Sequence, residues 1–253
     1  MKASDINKVL LAKKEESCSI PLLEGEIQGA LVWHHKLNEK KEMTFEPSAE
    51  LIRIFFLCSG TVAFHQGKKD WLYEEKAVFV PKPEEGTVLK AVTEAELIEI
   101  QWRLTDEDKA QLASCATDFP VTGRYLEAVQ YRDPFKSEKT ISRAIIPQRI
   151  IPRFAMGSVE TYGEDLIGQH EHPLLDQFFF SFPENDMILL LDDLEHPMGG
   201  DTLLHIPLGC NHGVRVEPGQ CAHYIWIDFV AGEEGNRYLD EVHKETGSIR
   251  RFS

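Results

Sequence analysis

No apolar run in the 253-residue sequence is long enough to cross a bilayer as a helix. Positive charge is scarce: 27 Lys and Arg stand against 42 Asp and Glu, for a formal net charge of −15. No basic patch offsets that excess, so a phosphate backbone would be repelled and nucleic acid is not an expected partner. Cysteine is sparse and scattered. The five residues Cys18, Cys58, Cys115, Cys210 and Cys221 are odd in number and form no CxxC pair. This excludes a disulfide framework and a cysteine-based zinc knuckle, and it fits a reducing compartment. The opening stretch MKASDINKVLLAKKEESCS is charged throughout and has no signal-peptide apolar region, so a cytoplasmic location is expected. Glycine-rich phosphate loops are missing too.

Short β-branched and aromatic runs broken by Gly, Pro, Asn and Asp make up most of the chain. Examples are GALVWHHKL (29–37), LIRIFFLCSG (51–60), DMILLLDD (186–193) and HYIWIDFVAG (223–232). The pattern predicts an all-β protein of two antiparallel β-barrels with a few short helices. One β-rich half is expected over 1–104 and a second over 149–235. Between them, 105–148 loses the strand texture and reads as a helical linker. It holds a Thr105-capped helix over 105–118 and a short helix near 122–131. A C-terminal helix and tail are expected over 236–253.

Residues 168–180, GQHEHPLLDQFFF, carry the chemistry. In a strand, positions i and i+2 share a face, so His170 and His172 project side by side. Pro173 favours a turn, and Gln177 opens the next strand with its amide near the two imidazoles. Farther on, Pro207, Gly209 and His212 form P-x-G-x-x-H, a tight turn that launches a strand. Three imidazoles and one amide oxygen suit one borderline divalent metal, and Zn, Mn, Fe, Ni and Co are all chemically possible.

H-x-H-x4-Q followed by P-x-G-x-x-H resembles the two motifs of the cupin superfamily. The resemblance implies a small antiparallel β-barrel and metal ligation by His170, His172, Gln177 and His212. The family's usual third ligand is Glu; Gln177 keeps an oxygen and removes a charge. The first half resembles a degenerate cupin barrel without metal ligands: Phe45-Glu46-Pro47 stands where H-x-H is expected, and PKPEEG (81–86) stands where the late His is expected. The whole is thus similar to a bicupin. Its last third most resembles the 5-keto-4-deoxyuronate and 5-deoxyglucuronate isomerases. The residues that carry this are HEHPLLDQFFFSFPENDMILLLDD and YIWIDFVAGEE. That likeness implies a metal-dependent aldose–ketose type isomerase of a small sugar acid, and a homo-oligomer. Two other readings remain open: a non-catalytic small-ligand-binding cupin and an iron-dependent cupin dioxygenase.

No acid or base is assigned by the motif. Asp176, Glu171, Tyr224 and Asp228 are polar groups near the motif strands, with Tyr224 foremost as a polar group in the pocket, although a packed aromatic is the commoner role. Phe178, Phe179 and Phe180 read as barrel wall, with one facing inward. His34 and His35 read as ordinary side chains on opposite faces, one of them at the surface; His205 reads as packed and His196 as an exposed loop residue.

Overall fold

The computed structural model describes residues 7–11, 15–114, 117–172, 174–248 and 250–252. The chain divides into two units, Ala12–Tyr125 and a second made of Met1–Leu11 with Leu126–Ser253. β1 (Lys8–Leu10) belongs to the second unit.

The N-terminal unit runs β2 (Cys18–Leu22), β3 (Ala30–Leu37), β4 (Glu42–Phe45), β5 (Leu51–Ser59), β6 (Thr61–Gln66), β7 (Lys69–Glu74), β8 (Ala77–Val80), β9 (Thr87–Ala91) and β10 (Ala95–Arg103). Helix α1 (Asp106–Ser114) and β11 (Val121–Arg124) complete it. A six-stranded sheet, β11-β8-β5-β10-β3-β2, and a four-stranded sheet, β4-β9-β6-β7, supply the inward faces. Phe45, Phe55, Phe64 and Phe79 fill the space between them, with Phe64 and Phe79 stacked at 4.1 Å. Each such ring contributes about 1.5–3 kcal/mol by leaving water. Gly60 turns β5 into β6 at a φ of 84°, where a Cβ would meet the Glu94 carbonyl at 2.1 Å.

The C-terminal unit continues with β12 (Val129–Arg132), β13 (Ile141–Ile151), β14 (Phe154–Tyr162), β15 (Asp165–Glu171), β16 (Leu175–Ser181) and β17 (Asp186–Leu191). Then come β18 (Leu194–Gly199), β19 (Thr202–Ile206), β20 (Asn211–Val216), β21 (Cys221–Val230), α2 (Glu233–Val242) and β22 (Lys244–Glu245). Its sheets are β1-β19-β16-β21-β14-β13-β12-β22 and β15-β20-β17-β18. Their core includes Val159, Ile167, Phe179, Leu189, Val214 and Trp226. The all-β expectation and the two antiparallel barrels therefore hold, with α1 and α2 the α-helices among the described residues. Neither is long and apolar enough to cross a membrane.

The expected linker over 105–148 is corrected. Thr105 does cap α1: its hydroxyl accepts from the Asp108 N–H at 3.2 Å and the Asp108 carboxylate accepts from the Thr105 N–H at 2.8 Å. After that helix the chain returns to strands. β11 completes the six-stranded sheet beside β8, and β12 and β13 extend the larger one. The short helix expected near 122–131 is β11, a 3-10 turn over Tyr125–Glu127, and β12. Ladder partners override the weak local preference of so short a segment. The division accordingly falls at 125/126 rather than across a linker, and residues 7–11 go with the C-terminal unit because β1 pairs with β19. The C-terminal helix starts three residues early and ends at Val242. His196 lies half-buried on β18 rather than in a loop. His34 and His35 are both buried, at 1% and 2% exposure, so neither is a surface residue. Cys18, Cys58, Cys210 and Cys221 are free thiols; Cys115 and Pro173 lie outside the described residues.

Candidate metal centre

β15 and β20 are antiparallel partners, and their register sets His170 opposite His212. A bulge between Ile167 and His170 re-aims the end of β15. Gly213 permits this close approach, since a Cβ there would lie 2.6 Å from the Ile167 carbonyl oxygen. His172 follows just past the strand. The three rings lie 4.7–5.0 Å apart, centre to centre, and one nitrogen from each falls within 4.8 Å of the others. These three histidines could hold a metal ion.

Their tautomers suit that task. His170 donates Nδ1–H to the Gly168 carbonyl at 2.8 Å, and His212 donates Nδ1–H to the Cys210 carbonyl at 3.2 Å. Each keeps a lone pair on Nε2, the usual arrangement of a metal-binding imidazole. His172 has a buried Nδ1 with no hydrogen-bond partner. Burial lowers the pKa of all three, to about 3 for His212, and mutual repulsion adds to it at His172 and His212. Neutral imidazoles are what a cation requires.

Gln177 is the third residue of β16 rather than its first; it is 4% exposed and lines the same cavity. Its Nε2 donates to Asp228 Oδ1 at 2.7 Å, while its buried Oε1 has no partner. An orphaned acceptor lining the cavity of three neutral imidazoles fits a divalent ion: with Gln177 the donor set would be N3O and uncharged. Along β21, residues 224, 226 and 228 face the cavity, and His223 and Ile225 do not. Burial raises the Asp228 carboxyl to about 7, which the Gln177 hydrogen bond and Lys136 only partly offset. Tyr224 stacks on Phe179 at 4.6 Å, and burial pushes its phenol well above the ordinary value, so it stays protonated. Of the phenylalanine run, Phe179 alone lines the cavity. Asp176 turns away to His205, 2.8 Å from its Nε2, and Glu171 is exposed.

Four further titratable residues line the cavity with no motif in the sequence to mark them: Tyr131, Asp133, Lys136 and His243. Three lie in the stretch taken for a linker, and His243 is placed by the end of α2, where its N–H caps the Leu239 carbonyl. Lys136 donates to Tyr131 Oη at 3.3 Å and pairs with Asp133 at 2.9 Å. Phe135 stacks on His170 at 4.3 Å with an interplanar angle of 5°. The remaining cavity is small, about 30 Å³.

The N-terminal unit carries different side chains at the comparable ladder positions. In its sheet, Arg53 on β5 is the ladder partner of Gln101 on β10, as Gln177 on β16 partners Asp228 on β21. The β4–β9 ladder pairs Phe45 with Thr87, where β15–β20 pairs His170 with His212. The Arg53 guanidinium lies 5.2 Å over the Phe45 ring and pairs with the buried Glu99, which also accepts from His35 Nε2–H at 2.8 Å. Ser19 in turn donates to His35 Nδ1 at 2.7 Å. No metal-ligand group forms there among the described residues.

No protein-family model and no curated protein matches this sequence. Solved structures do resemble it. An IolB-like protein from Salmonella typhimurium aligns with a TM-score of 0.69 at 13% identity, over 92% of this chain and 98% of that one. A cupin 2 conserved barrel domain protein from Leptotrichia buccalis gives 0.61 at 14% identity, over 88% and 96%. The oxalate decarboxylase of Lactobacillus farciminis, in complex with formate, gives 0.64 at 10% identity, over 90% and 85%. At such identities the likeness establishes the fold, which is that of the cupin barrels.

Proposed function

We propose that the C-terminal unit is a metal-dependent active centre that isomerises a small sugar acid in the aldose–ketose manner. One observation carries the reading: a buried N3O donor set, His170, His172, His212 and the orphaned Oε1 of Gln177, shares a cavity with a carboxyl group, Asp228. The likeness of the last third of the sequence to the uronate isomerases supports the substrate class.

A bound divalent ion supplies Lewis acidity toward a carbonyl and its neighbouring hydroxyl. The chain's own residues do the rest. Asp228, with a pKa near 7, takes the proton from the hydroxyl-bearing carbon and returns it to the former carbonyl carbon. One C–H bond breaks and one forms, the hydroxyl proton crosses to the carbonyl oxygen, and the exchange is redox-neutral. Gln177 holds Asp228 in place through Nε2–H. Tyr224, held as a phenol, and the surrounding aromatic wall keep bulk water from the reacting carbons.

The test is conversion of 5-keto-4-deoxyuronate and 5-deoxyglucuronate by metal-loaded protein in D2O, followed by NMR. Isomerisation with deuterium entering the carbon next to the carbonyl supports the reading. Absence of turnover across a broad panel of uronates overturns it.

A further inference from the structure

Beside the metal cavity lies a larger cleft of about 600 Å³, and the two share only Tyr131, Asp133 and Lys136. These residues are the partition between them. Five hydroxyl side chains line the cleft: Ser137, Thr140, Ser142, Thr246 and Ser248. Arg132, Lys244 and Arg250 line it together with Glu138 and Glu245, and Arg132 is paired with Glu138 at 2.9 Å.

The partition contains one buried cation. The Lys136 side chain is 8% exposed and its Asp133 partner 6%. An ammonium carries three N–H groups. Lys136 directs one to Asp133 and one to Tyr131 Oη, and no acceptor among the described residues takes the third. Such a donor, desolvated at the wall of a cavity, is matched by an anionic oxygen from outside the chain. Asp133 is not free to collapse onto the centre, because its Oδ1 already accepts from the Phe135 N–H at 2.9 Å. That same turn stacks Phe135 on His170, so the cation is held in fixed relation to the imidazoles.

We infer that Lys136 is the residue that seats the substrate's carboxylate, at the junction between the cleft and the metal cavity. This rests on the proposed function and names the residue that recognises the acid group of its substrate. A carboxylate fits better than a phosphate, because a single ammonium already paired with Asp133 does not balance a dianion. The hydroxyl-lined cleft is the route by which a polyhydroxylated acid reaches Lys136, with its carbonyl end directed toward His170, His172 and His212.

The experiment is calorimetric titration of the full chain with D-glucuronate and with D-glucose, each with and without one equivalent of zinc. The variants are Lys136→Arg, Lys136→Met and the charge-neutral Asp133→Asn/Lys136→Met pair. Wild-type protein is expected to prefer glucuronate over glucose by about tenfold or more, as a charge-assisted hydrogen bond requires. Lys136→Arg should keep part of that preference, and the other two variants should abolish it while binding zinc as before. The double variant removes both charges together, so a folded protein remains for the comparison. Equal binding of the two sugars by wild type, or an undiminished preference in the double variant, overturns the inference. Zinc content reads separately: if no metal binds but the glucuronate preference still follows Lys136, the metal reading fails and this one stands.

Discussion

The carboxamide of Gln177 is oriented by Asp228: Nε2 donates to Oδ1 at 2.7 Å, and Oε1 is left without a protein partner. Glutamate in the same place would have met that aspartate as a like charge, and two carboxylates so close share a proton. The glutamine thus offers an oxygen toward the imidazoles and leaves Asp228 as the carboxyl available to the proposed isomerisation.

Asp228→Asn is expected to leave metal content unchanged, because the N3O donor set is intact. Turnover on uronates should fall by about 10²- to 10⁴-fold, the usual contribution of a positioned acid–base group. A loss smaller than threefold, checked by kinetics on the metal-loaded variant, would remove Asp228 from the reaction.

Metal binding should stabilise the C-terminal unit selectively. At a hundredfold excess over Kd, linkage gives about 2.7 kcal/mol. Differential scanning calorimetry should show an upward shift in the transition of that unit, reversed by a chelator, with the N-terminal unit unmoved. Elemental analysis should find about one ion per chain. The His170→Ala/His212→Ala variant should show neither the shift nor the ion.

Acid stability is set in part by Glu99. Burial pushes its carboxyl up, and the hydrogen bond from His35, with Arg53 and Gln101, outweighs that and leaves it below its ordinary value. A depressed folded pKa means stability that is full above about 4.5 and is lost as the pH falls through the folded value. Glu99→Gln should therefore flatten the fall in melting temperature between about pH 5 and pH 3. It should also cost stability at neutral pH by leaving Arg53 unpaired. A variant profile parallel to wild type would refute this.

Gly157 on β14 lies beneath the Trp226 indole. A Cβ there would come within 2.1 Å of Trp226 Cζ2 and 2.3 Å of the Arg143 carbonyl oxygen. Gly157→Ala should destabilise by about 1–3 kcal/mol, as overpacking does. It should also disturb the Trp226 Nε1–H bond to Tyr131 Oη, 3.1 Å in the native fold, which tryptophan fluorescence would report.

The architecture and the imidazoles were legible because they follow short-range rules. Alternation gave the strands, and H-x-H on one strand with P-x-G-x-x-H before another gave His170, His172 and His212. Which face of β21 looked inward was not legible, since both sets on that strand are buried and only the register with β16 decides. Lys136 and Asp133 were hidden for a different reason. Their segment has little local preference, and its place comes from β12 and β13 on either side of it. His35 looked ordinary because its partners, Ser19 and Glu99, are 16 and 64 residues away.

Arg53 gives the two barrels different relations to their surroundings. On the proposed function, one keeps its inward polar hole for an ion that would arrive from solution and could leave. The other closes the corresponding position with a cation tethered by its own backbone, which no chelator extracts and no change in metal supply alters. Metal starvation would then empty half of this molecule and leave the other half as it was translated.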